Sequence, residues 1–260
     1  MQDFKSILNA KTKEDFIITW QSDRSFFTAK HLKIIAIITM LLSHLGQSGL
    51  LYDLGSQYYE LADIFVFIGR IAMPIFCFFT IQAVLLTKSF KNYILRMFVF
   101  AFISEIPFDL ALFARPSLAY QNVIFTLIFG ALTIYGIQYI GRSKYNSLIK
   151  IFLMIICIFI GLFLAELLNT DYGMHGVLAI LLLYIGRDSK ILTAISLFLA
   201  FLFEFEVWGM VIPQTYGFVY LSIPLIMLYN GKRGNQNKWA FYIFYPAHLL
   251  VIYLLKILLI

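Results

Sequence analysis

The sequence predicts an all-α, polytopic membrane protein of about nine transmembrane helices. Three observations carry this. The 260 residues are 61% hydrophobic and only 13% charged, with a mean hydropathy of +0.85, against about 25% charged in an ordinary soluble domain. Apolar stretches near membrane-crossing length, roughly 17–25 residues, succeed one another with short loops between them. The loops also alternate in charge, basic then acidic, as the positive-inside rule requires. Disorder, a disulfide scaffold and a typical cytosolic enzyme are excluded by the composition, and the 27 Phe and 16 Tyr suit a bilayer protein whose rings favour the interfaces.

Residues 1–30 are polar and hold Lys5, Lys11, Lys13, Arg24 and Lys30, so a cytoplasmic N-terminal segment with no signal peptide is expected. Phe4, Ile7, Leu8, Phe16, Ile17 and Trp20 make it weakly amphipathic, fit either to lie on the membrane surface or to be a plain polar tail. Residues 31–260 form the transmembrane domain. Spans are expected near 32–51, 62–87, 94–113, 119–140, 148–168, 173–186, 190–205, 210–229 and 239–259. The sixth and seventh are short, hence tilted, broken or re-entrant.

With the N-terminus inside and the C-terminus outside, 17 of the 20 Lys and Arg fall on cytoplasmic segments, leaving Arg115 and Lys256 outside and Arg70 within a span. The opposite face collects Asp53, Glu60, Asp63, Asp171, Glu204 and Glu206. The net charge of +6 is therefore a topology signal, and no nucleic-acid partner is expected. Cys77 and Cys157 sit in apolar runs without ligating neighbours and are expected to be packing residues.

Ionisable groups inside spans are costly and mark function. His44, Arg70, Glu105 and His248 each lie roughly 14–16 Å from a membrane face by helical rise, close to the midplane. Glu105 and Asp109 share one helical face, with Pro107 between them loosening the backbone. Tyr245 and His248 share a face beside Pro246. Arg70 precedes Pro74 in the same manner. The alternative is that Arg70 pairs with Glu105 as interhelical glue and the histidines are packing residues. No P-loop, Gly-x-Ser-x-Gly, His-Glu-x-x-His or dinucleotide motif is present, and no internal repeat is visible.

These same residues carry a resemblance. Leu32-Lys33-Ile34-Ile35-Ala36 with Met40-Leu41-Leu42-Ser43-His44 resembles the first span of the TraX family. Ile68-Gly69-Arg70-Ile71-Ala72-Met73-Pro74 is similar to the second span, and Ser104-Glu105-Ile106-Pro107-Phe108-Asp109, after Tyr93-Ile94-Leu95-Arg96, to the third. Asn122-Val123-Ile124-Phe125-Thr126-Leu127 and Phe244-Tyr245-Pro246-Ala247-His248 are similar to the fourth and last. The similarity runs from about residue 31 to the C-terminus. The chain departs from the family in Ser43, where Asp often precedes the His, and in Ile81-Gln82-Ala83, where the family has a small Ala-Glu-Gly stretch.

The resemblance implies a transmembrane acyltransferase that takes acetyl from cytoplasmic acetyl-CoA to an amine or hydroxyl on the other face, in the family's case the N-terminus of a pilin. His44, then His248, would be the base or acyl relay, and Arg70, balanced by Glu105, the oxyanion group. Asp109, Asn122 and Tyr245 would position the acceptor. Arg96, Arg142, Lys144, Arg187, Lys190, Lys232 and Arg233 would include the phosphate contacts. No metal is expected. The implied partners are the bilayer, an exported protein, peptide or cell-envelope glycopolymer as acceptor, and a second copy of the chain as a homo-oligomer. The implied location is a bacterial cytoplasmic membrane. The rival readings are an ion- or proton-coupled transporter and a non-catalytic subunit of a conjugation or secretion assembly.

Overall fold

The computed structural model describes residues 19–21, 25–209 and 217–260. Helix α1 spans Ala29–Gln47 and α2 Leu50–Asp53; a 3-10 turn at Ser56–Tyr58 leads into α3, Tyr59–Gly69. Helix α4 covers Ala72–Leu86, α5 Phe90–Phe113, α6 Val123–Arg142, α7 Ser147–Leu167, α8 Gly173–Gly186 and α9 Lys190–Gly209. A second 3-10 turn, Gly217–Leu221, precedes α10, Ser222–Met227, and the last helix is α11, Lys238–Leu259. The side chains of Thr28, Ser89, Asn122, Asn146 and Asn237 each accept a hydrogen bond from a first-turn backbone N–H. They satisfy donors that a helix start leaves open.

Five described segments are long and apolar enough to cross a membrane: α1, the stretch Ser56–Leu86 that contains α3 and α4, α6, α7, and α11 from Trp239. Helix α5 has 24 residues but carries Arg96, Glu105 and Asp109, and α8 and the first part of α9 are apolar but shorter. The protein is thus an all-helical membrane protein. Helix α7 turns Phe152, Ile155, Phe159 and Phe163 outward, as a helix against lipid does. Helix α8 is mostly buried and packs against α4, α6, α7 and α9, while α1 packs on α3, α4 and α11, and α5 on α6 and α11.

Two expectations are corrected in detail. The second predicted span is two helices broken at Arg70–Ile71. Pro74 lacks an N–H to donate, yet it sits in the first turn of α4, where no such donor is needed. The glycine before the break is required by close approach: a Cβ on Gly69 would lie 2.2 Å from the Ser43 Cβ of α1. Of the eighth predicted span, residues 210–216 lie outside the described residues, and the remainder forms the 3-10 turn and the short α10.

The N-terminal segment is largely outside the described residues too, including Lys5, Lys11, Lys13 and Arg24. Neither a surface helix nor a polar tail accounts for its Trp20, which is fully buried, edge-on to Phe78 at 4.8 Å and 5.9 Å from Tyr229. The chain after it is stitched to the segment before α11. Phe27 N–H donates to the Leu228 carbonyl at 3.0 Å and Ala29 N–H to the Lys232 carbonyl at 2.9 Å, while Phe27 accepts from Asn230 N–H at 2.9 Å.

Candidate functional site

The packing of α1 on α11 brings two imidazoles together from opposite ends of the chain. His44 Nδ1 lies 2.7 Å from His248 Nε2, and His248 Nδ1 lies 2.8 Å from the Phe244 carbonyl one turn back in its own helix. A carbonyl can only accept, so His248 Nδ1 bears a proton and, in the neutral ring, its Nε2 accepts. His44 Nδ1–H is then the donor between the rings, and His44 Nε2 keeps its lone pair. Both rings are buried, and the Tyr245 ring stands edge-on to them at 6.0 and 5.6 Å between centroids.

Two spaces meet beside this pair. The larger is a cavity of 490 Å³ with Lys33, Arg96, Arg233 and Gln236 at its mouth and Met40, Val123 and Tyr245 at its deep end, within the roughly 300–1,000 Å³ usual for small-molecule sites. The Lys33 ammonium stands over the Phe79 and Phe241 rings at 5.0 and 5.5 Å, held there by cation–π attraction. The smaller is a polar pocket of 60 Å³ lined by Ser43, His44, Gln47, Arg70, Asp171 and Tyr172. Met40, Phe76 and Val123 border both spaces and form the wall between them.

The pocket's acid comes from the loop between α7 and α8. Asp171 Oδ1 accepts from the Tyr120 hydroxyl at 2.9 Å. The loop is held by Asp171 N–H donating to the Gln121 carbonyl at 2.8 Å, and by Thr126, whose hydroxyl donates to the Asp171 carbonyl. Burial pushes the Asp171 carboxyl above the ordinary carboxylate range, against the Tyr120 bond and the Arg70 charge, which pull it down. Among the described residues no three His, Cys, Asp or Glu gather as a metal site.

The family described as TraX protein matches residues 28–256. The chain belongs to the TraX family. It is also 31% identical over 250 residues to "Probable fimbrial assembly protein FimC, serogroup H1" of Dichelobacter nodosus, which covers 86% of this chain and 93% of that protein. No solved structure matches it.

Several site residues expected of this TraX chain are brought together and others are not. His44 and Arg70 line the polar pocket, Tyr245, Arg96 and Arg233 line the larger cavity, and His248 joins the site through its contact with His44. Glu105 does not pair with Arg70. Its Oε2 accepts from Asn122, by the backbone N–H at 3.3 Å and by the side-chain amide. Asn122 in turn caps α6 through Ile124 N–H at 3.1 Å and donates to the Ala101 carbonyl at 2.9 Å. Glu105 and Asn122 thus anchor the start of α6, whose first residue, Val123, is part of the wall. Asp109 accepts from Ser117 N–H at 2.7 Å and holds the α5–α6 loop. Arg70 faces Asp171 instead.

Five of the basic residues expected at the phosphates are also elsewhere. Phe90, the first residue of α5, stacks on Tyr135 at 3.9 Å, so Arg142 lies about two helical turns beyond the level of the mouth. Lys144 comes next on the exposed loop. Arg187 is buried with its guanidinium 3.9 Å from the Tyr184 ring and 3.8 Å from Asp188. Lys232 does not line the cavity, and Lys190 is spent on the Met227 and Tyr229 carbonyls at 3.3 and 3.2 Å. Sequence reasoning missed Lys33 and Asp171 as site residues because each also served as a topology charge. The signal that could have found Asp171 is the polar run Asn169-Thr170-Asp171 between two apolar spans.

Proposed function

We propose that this TraX-family protein is an acetyltransferase of the bacterial cytoplasmic membrane, moving acetyl from cytoplasmic acetyl-CoA to an amine or hydroxyl on the far side. The observation that carries this reading is the cavity itself: a basic mouth and a long apolar barrel that shares the wall of Met40, Phe76 and Val123 with a second, polar pocket lined by His44. The residues fit the donor. Lys33, Arg96 and Arg233 suit its phosphates, the apolar walls suit its arm, and Met40 and Tyr245 would flank its thioester. The positive-inside rule puts the basic mouth in the cytoplasm, with nine crossings, the N-terminus in and the C-terminus out.

On this reading His44 Nε2 takes the proton of the attacking amine or hydroxyl as its N or O closes on the thioester carbonyl. A C–N or C–O bond forms, the C–S bond breaks, and His44 returns the proton to the departing sulfur. His248 keeps His44 in the tautomer this needs, as the Phe244 carbonyl keeps His248. The Arg70 guanidinium stabilises the oxyanion, and Asp171 holds the accepting group. The relative's printed name favours a pilin or fimbrial subunit among the acceptors.

The same name supports a second reading, a non-catalytic subunit of fimbrial assembly. Intact-mass analysis of surface proteins and envelope polymers, with and without the gene, separates the two. Loss of one acetyl group from a surface species, restored by the parent gene and not by a His44→Ala copy, supports the enzyme. Unchanged masses together with lost fimbriae overturn it.

A further inference from the structure

A side-chain amide within the large cavity has a donor with no partner among the described residues. Gln82 lies on α4 five residues before Thr87 at the basic end, roughly 7 Å inward by helical rise. It is 7% exposed and lines the cavity. The Tyr229 hydroxyl donates to Gln82 Oε1 at 3.3 Å and fixes the amide, while Gln82 Nε2 meets no acceptor among the described residues. The nearby Thr80 hydroxyl does not compete for it, being bonded to the Phe76 carbonyl at 2.9 Å. Ile37, Phe79 and Leu86 make the surrounding walls apolar.

We infer that Gln82 is the recognition point for an amide in the arm of the acyl donor, an inference that rests on the acetyl-CoA reading above. A donor with its phosphates at Lys33, Arg96 and Arg233 and its thioester at the histidines must pass Gln82 about midway along the cavity. The pantetheine arm carries two secondary amides between its phosphates and its sulfur, and an amide carbonyl there would accept from Nε2, a buried atom that a turn of the side chain brings to the cavity. A secondary amide offers a carbonyl and an N–H together, so it also satisfies the side chain if the amide end presented is Oε1. A plain hydrocarbon tail at the same depth would leave the Gln82 amide buried and unpaired, which is costly. The site therefore selects an amide-bearing arm over a fatty acyl chain, by the same logic through which buried hydrogen-bonding groups reject ligands that lack their partner.

The test compares two probes on the purified full chain in detergent micelles, by calorimetry. Coenzyme A carries the arm; adenosine 3′,5′-bisphosphate is its phosphate-bearing nucleotide without the arm. Gln82→Met, close in shape, should weaken coenzyme A about five- to tenfold, the worth of one hydrogen bond, while the bisphosphate stays within about twofold. Tyr229→Phe, which keeps Gln82 but removes the hydroxyl that aims it, should weaken coenzyme A by a smaller factor and spare the bisphosphate. Coenzyme A binding unchanged in both variants would mean a cavity water is all that Gln82 meets, and would overturn the inference with the donor reading intact. Equal losses for both probes would make Gln82 a packing residue only, and overturn it as well. A parent that binds neither probe overturns the inference together with the donor reading.

Discussion

His44 and His248 differ only in what their ring nitrogens face, and that difference assigns their roles. His44→Ala should cut acetyl transfer by about 10²–10⁴-fold, the usual worth of a general base, with coenzyme A binding kept. On the proposed mechanism His248 acts through His44, so His248→Gln, whose side-chain oxygen reaches the position of Nε2 and can still accept from His44 Nδ1–H, should retain more activity than His248→Leu. Equal rates in those two variants would remove the tautomer argument. Asp171 makes a separate prediction. Because burial raises its folded carboxyl above the ordinary range, the folded state holds that proton more tightly than the unfolded chain. Its contribution to stability is full at acid pH and is lost as pH rises through the folded value. Asp171→Asn should therefore raise the melting temperature at neutral and alkaline pH, with the gain shrinking towards acid, in thermal scans across pH. Sequence reasoning reached the histidines through their depth. It paired Glu105 wrongly because depth along a helix says nothing about which way a side chain turns. Asn122, at the start of the next helix, is the nearer donor.

At the level of helices, the decisive feature is the break between α3 and α4. It could not be read from hydropathy, because the apolar run from Ile64 to Leu86 continues through it with Arg70 as its one charged interruption. Pro74 was the better clue: a proline is comfortable in a first helical turn, which puts a helix start two or three residues before it. The break leaves Arg70 at a helix end beside Asp171, and the Gly69–Ser43 contact sets how closely α1 and α3 approach. Gly69→Val should force those helices apart and destabilise the fold by about 1–3 kcal/mol or more. The control is Gly217→Ala, where a Cβ would meet nothing within 4 Å among the described residues. Reduced yield and an earlier melt for the first, and neither for the second, are expected in detergent; matching melts would mean the crossing is not tight.

Over the whole molecule, the loop charges predict which face is which. A cysteine at Ser56 should react with an impermeant thiol reagent from outside the cell and one at Arg142 should not; the reverse pattern overturns the orientation and the direction of transfer. Ser56 is the better place than its neighbour Gly55, whose φ of +130° resists any side chain. Most helix positions were legible because each needs only local composition; the break at Arg70–Ile71 and the short α10 were not. The meeting of residues 44 and 248 was not, since it depends on which helices become neighbours. The wall of Met40, Phe76 and Val123 has a consequence for choice of acceptor. On the proposed reading the donor would stay on one side of it and the bulk of the acceptor on the other, so only the atoms next to the reacting group would have to fit the 60 Å³ pocket. Under the proposed chemistry, acceptors that share a slender, unbranched tip should compete equally whether the tip belongs to a dipeptide or to a polymer. A branch beside the reacting atom should exclude even the smallest of them.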